Sequence, residues 1–220
     1  MRLNIAIDGP AGAGKSTLAK ALARSLNIHY LDTGAMYRAV AYAAVSAGIS
    51  VKDEEAVARL LEDIDLKTVY VDGEQQILLN GVNVMPYIRT PEMSTAASDI
   101  SALPCVRKKL VEMQREVAKQ YDVVLDGRDI GTYVLPDAPY KFFLTADPAE
   151  RARRRHAELL SKGIHKDYDD VLSEMLQRDA NDSSRALAPL KKADDAILID
   201  ATHLDADAVL SLVLSKLKQE

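Results

Sequence analysis

Gly9-Pro10-Ala11-Gly12-Ala13-Gly14-Lys15-Ser16 is the stretch that decides the fold of this 220-residue chain. It follows the apolar run Leu3–Ile7, which predicts a buried strand, and it opens Lys15–Leu26, where leucines recur at the four-residue step of a helix. The order of strand, Gly-x-x-x-x-Gly-Lys-Ser loop and helix is typical of a loop that holds phosphate groups. Its glycines let backbone N–H groups approach phosphate oxygens, and the N-terminus of the helix adds partial positive charge.

The loop also predicts how a nucleotide is bound. Lys15 can reach the β- and γ-phosphates of ATP, and the Ser16 hydroxyl can ligate Mg²⁺. The predicted ATP-binding residues are Gly9, Pro10, Ala11, Gly12, Ala13, Gly14, Lys15, Ser16 and Thr17. Loops of this kind occur in kinases, GTPases and motor ATPases alike, so the loop alone does not predict the reaction.

Composition limits the classes of protein that remain. Hydrophobic residues make up 48% of the chain, enough for a sizeable core, and the length fits one α/β domain with insertions or a domain with a small accessory lobe. The net charge of −5 disfavours general nucleic-acid binding, and a single cysteine, Cys105, excludes an internal disulfide framework and a cysteine metal site. The apolar run before Asp8 is too short for a signal peptide or a membrane span, so we expect a cytoplasmic protein.

Strand-like and helix-like segments alternate along most of the chain. Beyond the loop, apolar runs at Asp122–Asp126, Lys141–Thr145 and Ala196–Asp200 predict strands, and Gly34–Ala47 and Asp53–Glu62 predict helices. Such alternation favours a mainly parallel sheet covered by helices on both faces.

The segment Asp65–Pro91 breaks this pattern. The runs Leu66–Val71, Gln76–Leu79 and Val82–Val84 are separated by Asp-Gly and Asn-Gly, which are strong turn signals between strands. We predict a small antiparallel meander that is separate from the parallel sheet.

Arginines gather at one predicted helix face in the C-terminal half. Arg151, Arg154 and Arg155 lie at i, i+3 and i+4, so their side chains share a face. This face can close over ATP as a lid and stabilise the transferring phosphoryl group; the alternative is a solvated basic face.

A second mixed-charge face follows. Arg178, Asp182 and Arg185 lie at i, i+4 and i+7. They can form a surface ion-pair network, which contributes little, or a recognition surface whose carboxylate accepts hydrogen bonds from sugar hydroxyls. The spacing alone leaves both alternatives open.

Polar residues also stand where an acceptor would bind. Asp126-Gly127-Arg128-Asp129 ends a predicted strand, and ligands of open parallel sheets bind at the carboxyl ends of strands. Asp126 can hold Mg²⁺ through water and Arg128 can hold an acceptor phosphate; the alternative is a turn with exposed charges. Thr33 either caps the following helix or offers its hydroxyl to the acceptor base, and Arg38 can bind the acceptor phosphate.

Three features favour a small kinase over the other phosphate-loop classes. The guanine signature Asn-Lys-x-Asp is absent, the chain is short, and arginines cluster where phosphoryl transfer needs positive charge.

Together these residues resemble the bacterial cytidylate kinase family. The motifs that carry the resemblance are GPAGAGKST, LDTGAMYR, IRTPE, DGRDIGT, RDAND with SSRA and APL, and ADDAILIDAT, and the likeness runs from about residue 3 to residue 215. It implies an α/β P-loop kinase core with a mainly parallel five-stranded sheet flanked by helices, an antiparallel β insertion in the monophosphate-binding region and a helical lid. It also implies a single domain over residues 1–220, with the inserted lobe at about 63–101 and the lid at about 150–167.

The resemblance further implies a role for each matching residue. The residues that would recognise cytosine are Thr33, Arg107, Asp129 and Arg185. Those that would hold the sugar are Arg178 and Asp182, and those that would bind the acceptor phosphate are Arg38 and Arg128. The γ-phosphoryl group in transit would be stabilised by Lys15, Arg151, Arg154 and Arg155.

The activity that the resemblance implies is ATP-dependent phosphorylation of CMP and dCMP in pyrimidine nucleotide metabolism, by a monomer without nucleic-acid or membrane partners. One rival is a P-loop kinase for UMP, AMP, shikimate or dephospho-CoA. The other is a nucleotide-dependent switch, which the DGRD and RDAND clusters disfavour because a switch needs no second anion site.

Overall fold

The computed structural model describes residues 2–217. In chain order the elements are β1 Asn4–Asp8, α1 Lys15–Leu26, β2 His29–Asp32, α2 Thr33–Ser46, α3 Glu54–Asp63, β3 Leu66–Val71, β4 Glu74–Leu79, β5 Val82–Asn83, α4 Pro91–Ile100, α5 Pro104–Gln120, β6 Val123–Gly127, a π-helix Ile130–Val134, β7 Tyr140–Thr145, α6 Pro148–Ser161, α7 Tyr168–Ser184, β8 Ile197–Asp200 and α8 Ala206–Leu217. Between residues 2 and 217, none of the helices combines the length and the hydropathy that a membrane crossing requires.

The strands form two sheets. One has five strands in the order β2-β6-β1-β7-β8, and β7 runs parallel to both β1 and β8. The other has three strands, β3-β4-β5, paired antiparallel through the Asp-Gly and Asn-Gly turns. The predictions of a mainly parallel five-stranded sheet and of a separate antiparallel meander are therefore confirmed.

The described chain divides into two compact units. One contains Arg2 and residues 29–123, and the other contains residues 3–28 and 124–217.

Helix α2 is the centre of the first unit. Its small side chains, among them Ala35, Ala39 and Ala44, are fully buried, so the neighbouring helices α4 and α5 and strand β4 can approach it closely. Helix α3 begins at Glu54, because the Asp53 carboxylate accepts the Ala56 N–H at 3.0 Å and caps the helix.

The second unit is built on buried apolar strands. Ile5 and Ile7 of β1, Leu125 of β6 and Phe142 of β7 have almost no exposed surface, as expected for strands covered on both faces. Helix α1 contacts β1 and α8, and helices α6 and α7 contact each other. The carboxyl end of β1 leads directly into the phosphate loop, which β7 lies against.

Candidate active site

The backbone of the phosphate loop favours glycine at three positions, two of which, Gly9 and Gly14, the motif predicts. Gly9, Gly12 and Gly14 all have positive φ angles, of 147°, 72° and 96°. A Cβ atom on Gly9 would lie 1.9 Å from the backbone oxygen of Leu144, so any other residue there would push the loop away from β7.

Lys15 is buried at the start of α1, and its Nζ donates a hydrogen bond to the Pro10 oxygen at 2.7 Å. Burial, with the nearby Arg128 guanidinium, lowers the pKa of Lys15 to about 7. An ammonium group in this position is short of compensating negative charge, which a polyphosphate would supply.

The structure brings together the two predicted magnesium ligands. The Ser16 hydroxyl donates to Asp126 Oδ2 at 2.7 Å, with Asp126 buried at the end of β6. A hydroxyl and a carboxylate oxygen suit Mg²⁺, which binds few protein oxygens and keeps water and phosphate as its other ligands. This donor set therefore fits the predicted ion.

Asp8 is a buried carboxylate that the sequence analysis did not single out. It accepts the backbone N–H groups of Ile130 and Gly131 at 2.8 and 2.7 Å, so it holds the first turn of the π-helix. Burial raises the pKa of Asp8 to about 7, against the lowering effect of those two hydrogen bonds. The sequence signal that could have identified Asp8 is its position as the last residue of β1, immediately before the phosphate loop.

Asp182 is the centre of a buried charge cluster. Only 1% of it is exposed; its carboxylate accepts from Arg128 Nε at 2.7 Å and also from Arg185 Nη2. Burial acts to raise the pKa of Asp182, but the guanidinium groups of Arg128, Arg185 and Arg178 outweigh it and hold the pKa below its usual range. The alternative of a solvated surface network is therefore wrong.

The same contact decides between the two alternatives for the Asp126–Asp129 turn. Arg128 has only 16% of its side chain exposed, and Asp129 is buried. The turn does not carry exposed charges, and it leads straight into the π-helix.

The three lid arginines share a helix face but not a set of partners. Arg151 is buried, and its guanidinium donates to the backbone oxygens of Ala146 and Ala11 and to Asp179. Arg154 contacts Glu150 and the Ala201 oxygen, whereas Arg155 pairs with Glu158. The alternative of a solvated basic face is therefore wrong for Arg151, which is bonded to the phosphate loop. The role of these arginines as a lid over ATP stays a prediction.

In the first unit, two arginine side chains form ion pairs with Asp32. Arg38 Nη2 lies 3.0 Å and Arg89 Nη2 3.4 Å from Asp32 Oδ2. Asp32 also caps α2 by accepting the Ala35 N–H at 2.8 Å, so of the two alternatives for Thr33 the capping role is wrong. Thr33 is a buried residue in the first turn of α2. Arg89 was not predicted, although it lies in the IRTPE motif.

Arg107 is the largest fully buried side chain of the described residues. It donates to the Ser101 oxygen, and its guanidinium carbon lies 5.8 Å from the centre of the Tyr37 ring. A buried guanidinium stacked near an aromatic ring gives the first unit a fixed, directional donor.

A cavity of about 570 Å³ adjoins the phosphate loop within the second unit. Residues that line it include Gly14, Thr17, Leu144, Arg154, Thr202 and His203. Its volume lies within the range of small-molecule sites.

A mainly parallel sheet with a Gly-x-x-x-x-Gly-Lys-Ser loop after β1, and with a strand-end aspartate bonded to the loop serine, defines the class of the P-loop nucleotide-binding proteins. The family model described as cytidylate kinase matches residues 5–219. The chain belongs to the cytidylate kinase family, and it is accordingly a nucleoside monophosphate kinase.

Individual relatives agree over nearly the whole chain. The chain is similar to the cytidylate kinase of Carboxydothermus hydrogenoformans, with 52% identity over 96% of each chain. It is 51% identical to that of Caldicellulosiruptor saccharolyticus, over 97% of this chain and 94% of the relative. With that of Halalkalibacterium halodurans the identity is 46%, over 99% of this chain and 98% of the relative.

Proposed function

We propose that this protein transfers the γ-phosphoryl group of ATP to CMP and dCMP, giving ADP with CDP or dCDP, as a step of pyrimidine nucleotide metabolism. The observation that carries the proposal is that the second unit contains both a complete phosphate loop and a separate buried arginine cluster around Asp182. A nucleotide switch needs only the first of these, whereas a kinase for a phosphorylated acceptor needs both.

The donor is proposed to bind to the loop and the cavity beside it. The loop N–H groups and Lys15 would hold the phosphates, and the cavity lined by Thr17 and Arg154 would take the nucleoside of ATP. Ser16 and, through water, Asp126 would hold Mg²⁺. When bound, this ion offsets the negative charge of the phosphate oxygens.

Roles in acceptor binding are proposed here residue by residue. In the first unit, Thr33 and Arg107 would contact the base and Arg38 would bind the phosphate. In the second unit Arg128 would bind the phosphate, Asp129 and Arg185 the base, and Arg178 and Asp182 the sugar. The burial and fixed partners of Asp182 and Arg107 support these assignments, because such side chains hold their polar atoms in one direction.

Phosphoryl transfer to the acceptor requires positioning and charge stabilisation, and it needs no covalent enzyme intermediate. The acceptor phosphate oxygen is already a nucleophile near neutral pH, so the protein's task is to align it with the γ-phosphorus and to exclude water. Lys15 and the arginines of α6 would stabilise the charge that the transferring group carries. We further propose that the protein acts as a monomer in the cytoplasm, without a nucleic-acid partner; its net charge of −5 supports the last point.

An acceptor panel tests the substrate assignment. ADP release would be measured with CMP, dCMP, UMP, AMP and shikimate, for the wild type and for Asp182→Ala. CMP and dCMP should be the best acceptors, and Asp182→Ala should lower kcat/KM by about tenfold to a hundredfold because two buried arginines lose their shared acceptor. If kcat/KM falls equally for CMP and dCMP, Asp182 is assigned to the 3′-hydroxyl. If it falls more for CMP, Asp182 is assigned to the 2′-hydroxyl, which dCMP lacks. Faster turnover of AMP or shikimate than of CMP would refute the assignment.

A further inference from the structure

Asp179 on α7 bonds to the phosphate loop, and none of the roles assigned above uses it. One carboxylate oxygen accepts the backbone N–H of Ala11 at 3.0 Å, and the other accepts Arg151 Nη1 at 2.5 Å. The same Arg151 nitrogen donates to the Ala11 oxygen at 2.8 Å. Asp179 and Arg151 therefore bind both backbone polar groups of the third loop residue, Ala11, and fix its peptide planes.

Apolar contacts bring α6 and α7 against the same point of the loop. Ala11 belongs to a buried cluster with Ala152 and Leu159 of α6 and with Val171 and Met175 of α7. The next loop residue, Gly12, faces both helices: a Cβ atom on it would lie 2.7 Å from the terminal carbon of Met175 on α7 and 3.2 Å from the backbone oxygen of Arg151 on α6. A displacement of α7 would therefore displace the loop.

Helix α7 also carries the residues proposed to hold the acceptor sugar. Arg178 precedes Asp179 directly, and Asp182 lies three residues beyond it, within the same continuous helix. Asp182 is in turn bonded to Arg128 and Arg185. Because a helix moves as a stiff element, a ligand that fixes Arg178 and Asp182 also fixes Asp179 against Ala11.

We propose that Asp179 is a positioning residue that couples acceptor binding on α7 to the geometry of the phosphate loop, so that CMP and ATP each strengthen the binding of the other. This inference rests on the proposed function, since it takes CMP as the ligand of Arg178 and Asp182. The first nucleotide to bind orders α7 and the loop at a cost in conformational entropy, and the second binds to a protein that is already ordered. Coupling of this kind is reciprocal and typically changes affinity by about fivefold or more.

Calorimetric titration of CMP, with and without a saturating non-hydrolysable ATP analogue and Mg²⁺, measures the coupling as a ratio of dissociation constants. For the wild type we expect the CMP dissociation constant to fall by about fivefold or more when the analogue is present. Asp179→Ala should bring this ratio close to one. A merely structural defect would weaken both titrations equally and leave the ratio unchanged.

The matched control is Asp170→Asn, which removes an exposed carboxylate of the same helix. Among residues 2–217 this carboxylate makes no hydrogen bond or ion pair, so the variant should keep the wild-type ratio. Asp179→Asn retains an acceptor for Ala11 but loses the charge that holds Arg151, and its ratio should be at most half that of the wild type. If circular dichroism shows that Asp179→Ala is unfolded, the Asn variant decides. A wild-type ratio in a folded Asp179 variant, or a wild type that binds both nucleotides with no coupling, would overturn the inference. A wild type that does not bind CMP at all would instead overturn the proposed function.

Discussion

At the scale of single residues, the site depends on charges that are buried and then compensated. Lys15 and Asp182 illustrate the two outcomes. Asp182 has its counter-charges in place and its pKa is held low, whereas burial lowers the pKa of Lys15 to about 7. A buried cation without enough negative charge around it is suited to bind an anion, because the charge of the ligand offsets the unfavourable free energy of burying the ammonium group.

Lys15→Ala should therefore leave the protein folded but lower kcat by about a hundredfold or more, since it removes a preorganised positive charge from the transferring phosphoryl group. Steady-state kinetics with ATP and CMP, together with a thermal melt, provide the measurement. Lys20→Ala, on the same helix α1, is the control and should retain the wild-type kcat. An unchanged kcat in a folded Lys15→Ala protein would contradict the role given to the loop.

Sequence spacing predicted the shared helix face of Arg151 and Arg155 but not whether that face is buried, and it was wrong for Arg185, because α7 ends at Ser184. Arg151 and Arg155 are both on the face predicted for a lid, yet Arg151 is bonded to the loop and Arg155 pairs with Glu158. Asp182 was equally consistent with a solvated surface. Burial depends on what packs against the helix, and local spacing carries no information about that partner.

At the scale of elements, the π-helix after β6 depends on a distant side chain. Asp8, at the end of β1, accepts two N–H groups of its first turn from 122 and 123 residues away. Arg128 and Asp129 directly precede this turn, so Asp8 helps to position the two residues that are proposed to contact the acceptor. Asp129 and Lys15 are the charged neighbours that act on Asp8.

Asp8→Asn should alter the pH dependence of stability. The pKa of Asp8 is raised from 3.8 to about 7 in the folded protein, so the folded state binds the proton more tightly than the unfolded state. The wild type should then lose unfolding free energy, relative to Asp8→Asn, as the pH rises from about 4 to 7, by at most about 1.4 kcal/mol per pH unit. The difference in unfolding free energy should become constant only above about pH 8, where Asp8 is ionised in the folded protein as well.

Urea unfolding of both proteins between pH 4 and 8.5 measures this difference. The Asn variant forms only one of the two N–H contacts and should be the less stable protein at low pH. A difference that stays constant, or grows with pH, would show that Asp8 remains ionised in the folded state.

The elements that the sequence predicted well are those with local signals. Continuous apolar runs predicted β1, β6, β7 and β8, and two Asp-Gly and Asn-Gly turns predicted the meander. Strand β2 was missed because His29–Asp32 is short and only its second half is buried. The π-helix was missed because its stabilising partner, Asp8, is remote in the chain.

At the scale of the whole molecule, each unit has its own arginine pair held by one buried aspartate. Arg38 and Arg89 meet Asp32 in the first unit, and Arg128 and Arg185 meet Asp182 in the second. The protein as a whole carries a net charge of −5, so these clusters are local exceptions to its charge. Local positive charge at fixed positions is what selective binding of small anions requires, without affinity for polyanions in general.

Transfer of the phosphoryl group from ATP to CMP can be followed directly by ³¹P NMR of a mixture of enzyme, ATP, Mg²⁺ and CMP. The signals of ADP and CDP should grow together in equal amounts, with little inorganic phosphate, because the acceptor oxygen is aligned and water is excluded. Formation of ADP with an equal amount of inorganic phosphate and no CDP would contradict the proposed function, since the protein would then be a nucleotide hydrolase or switch.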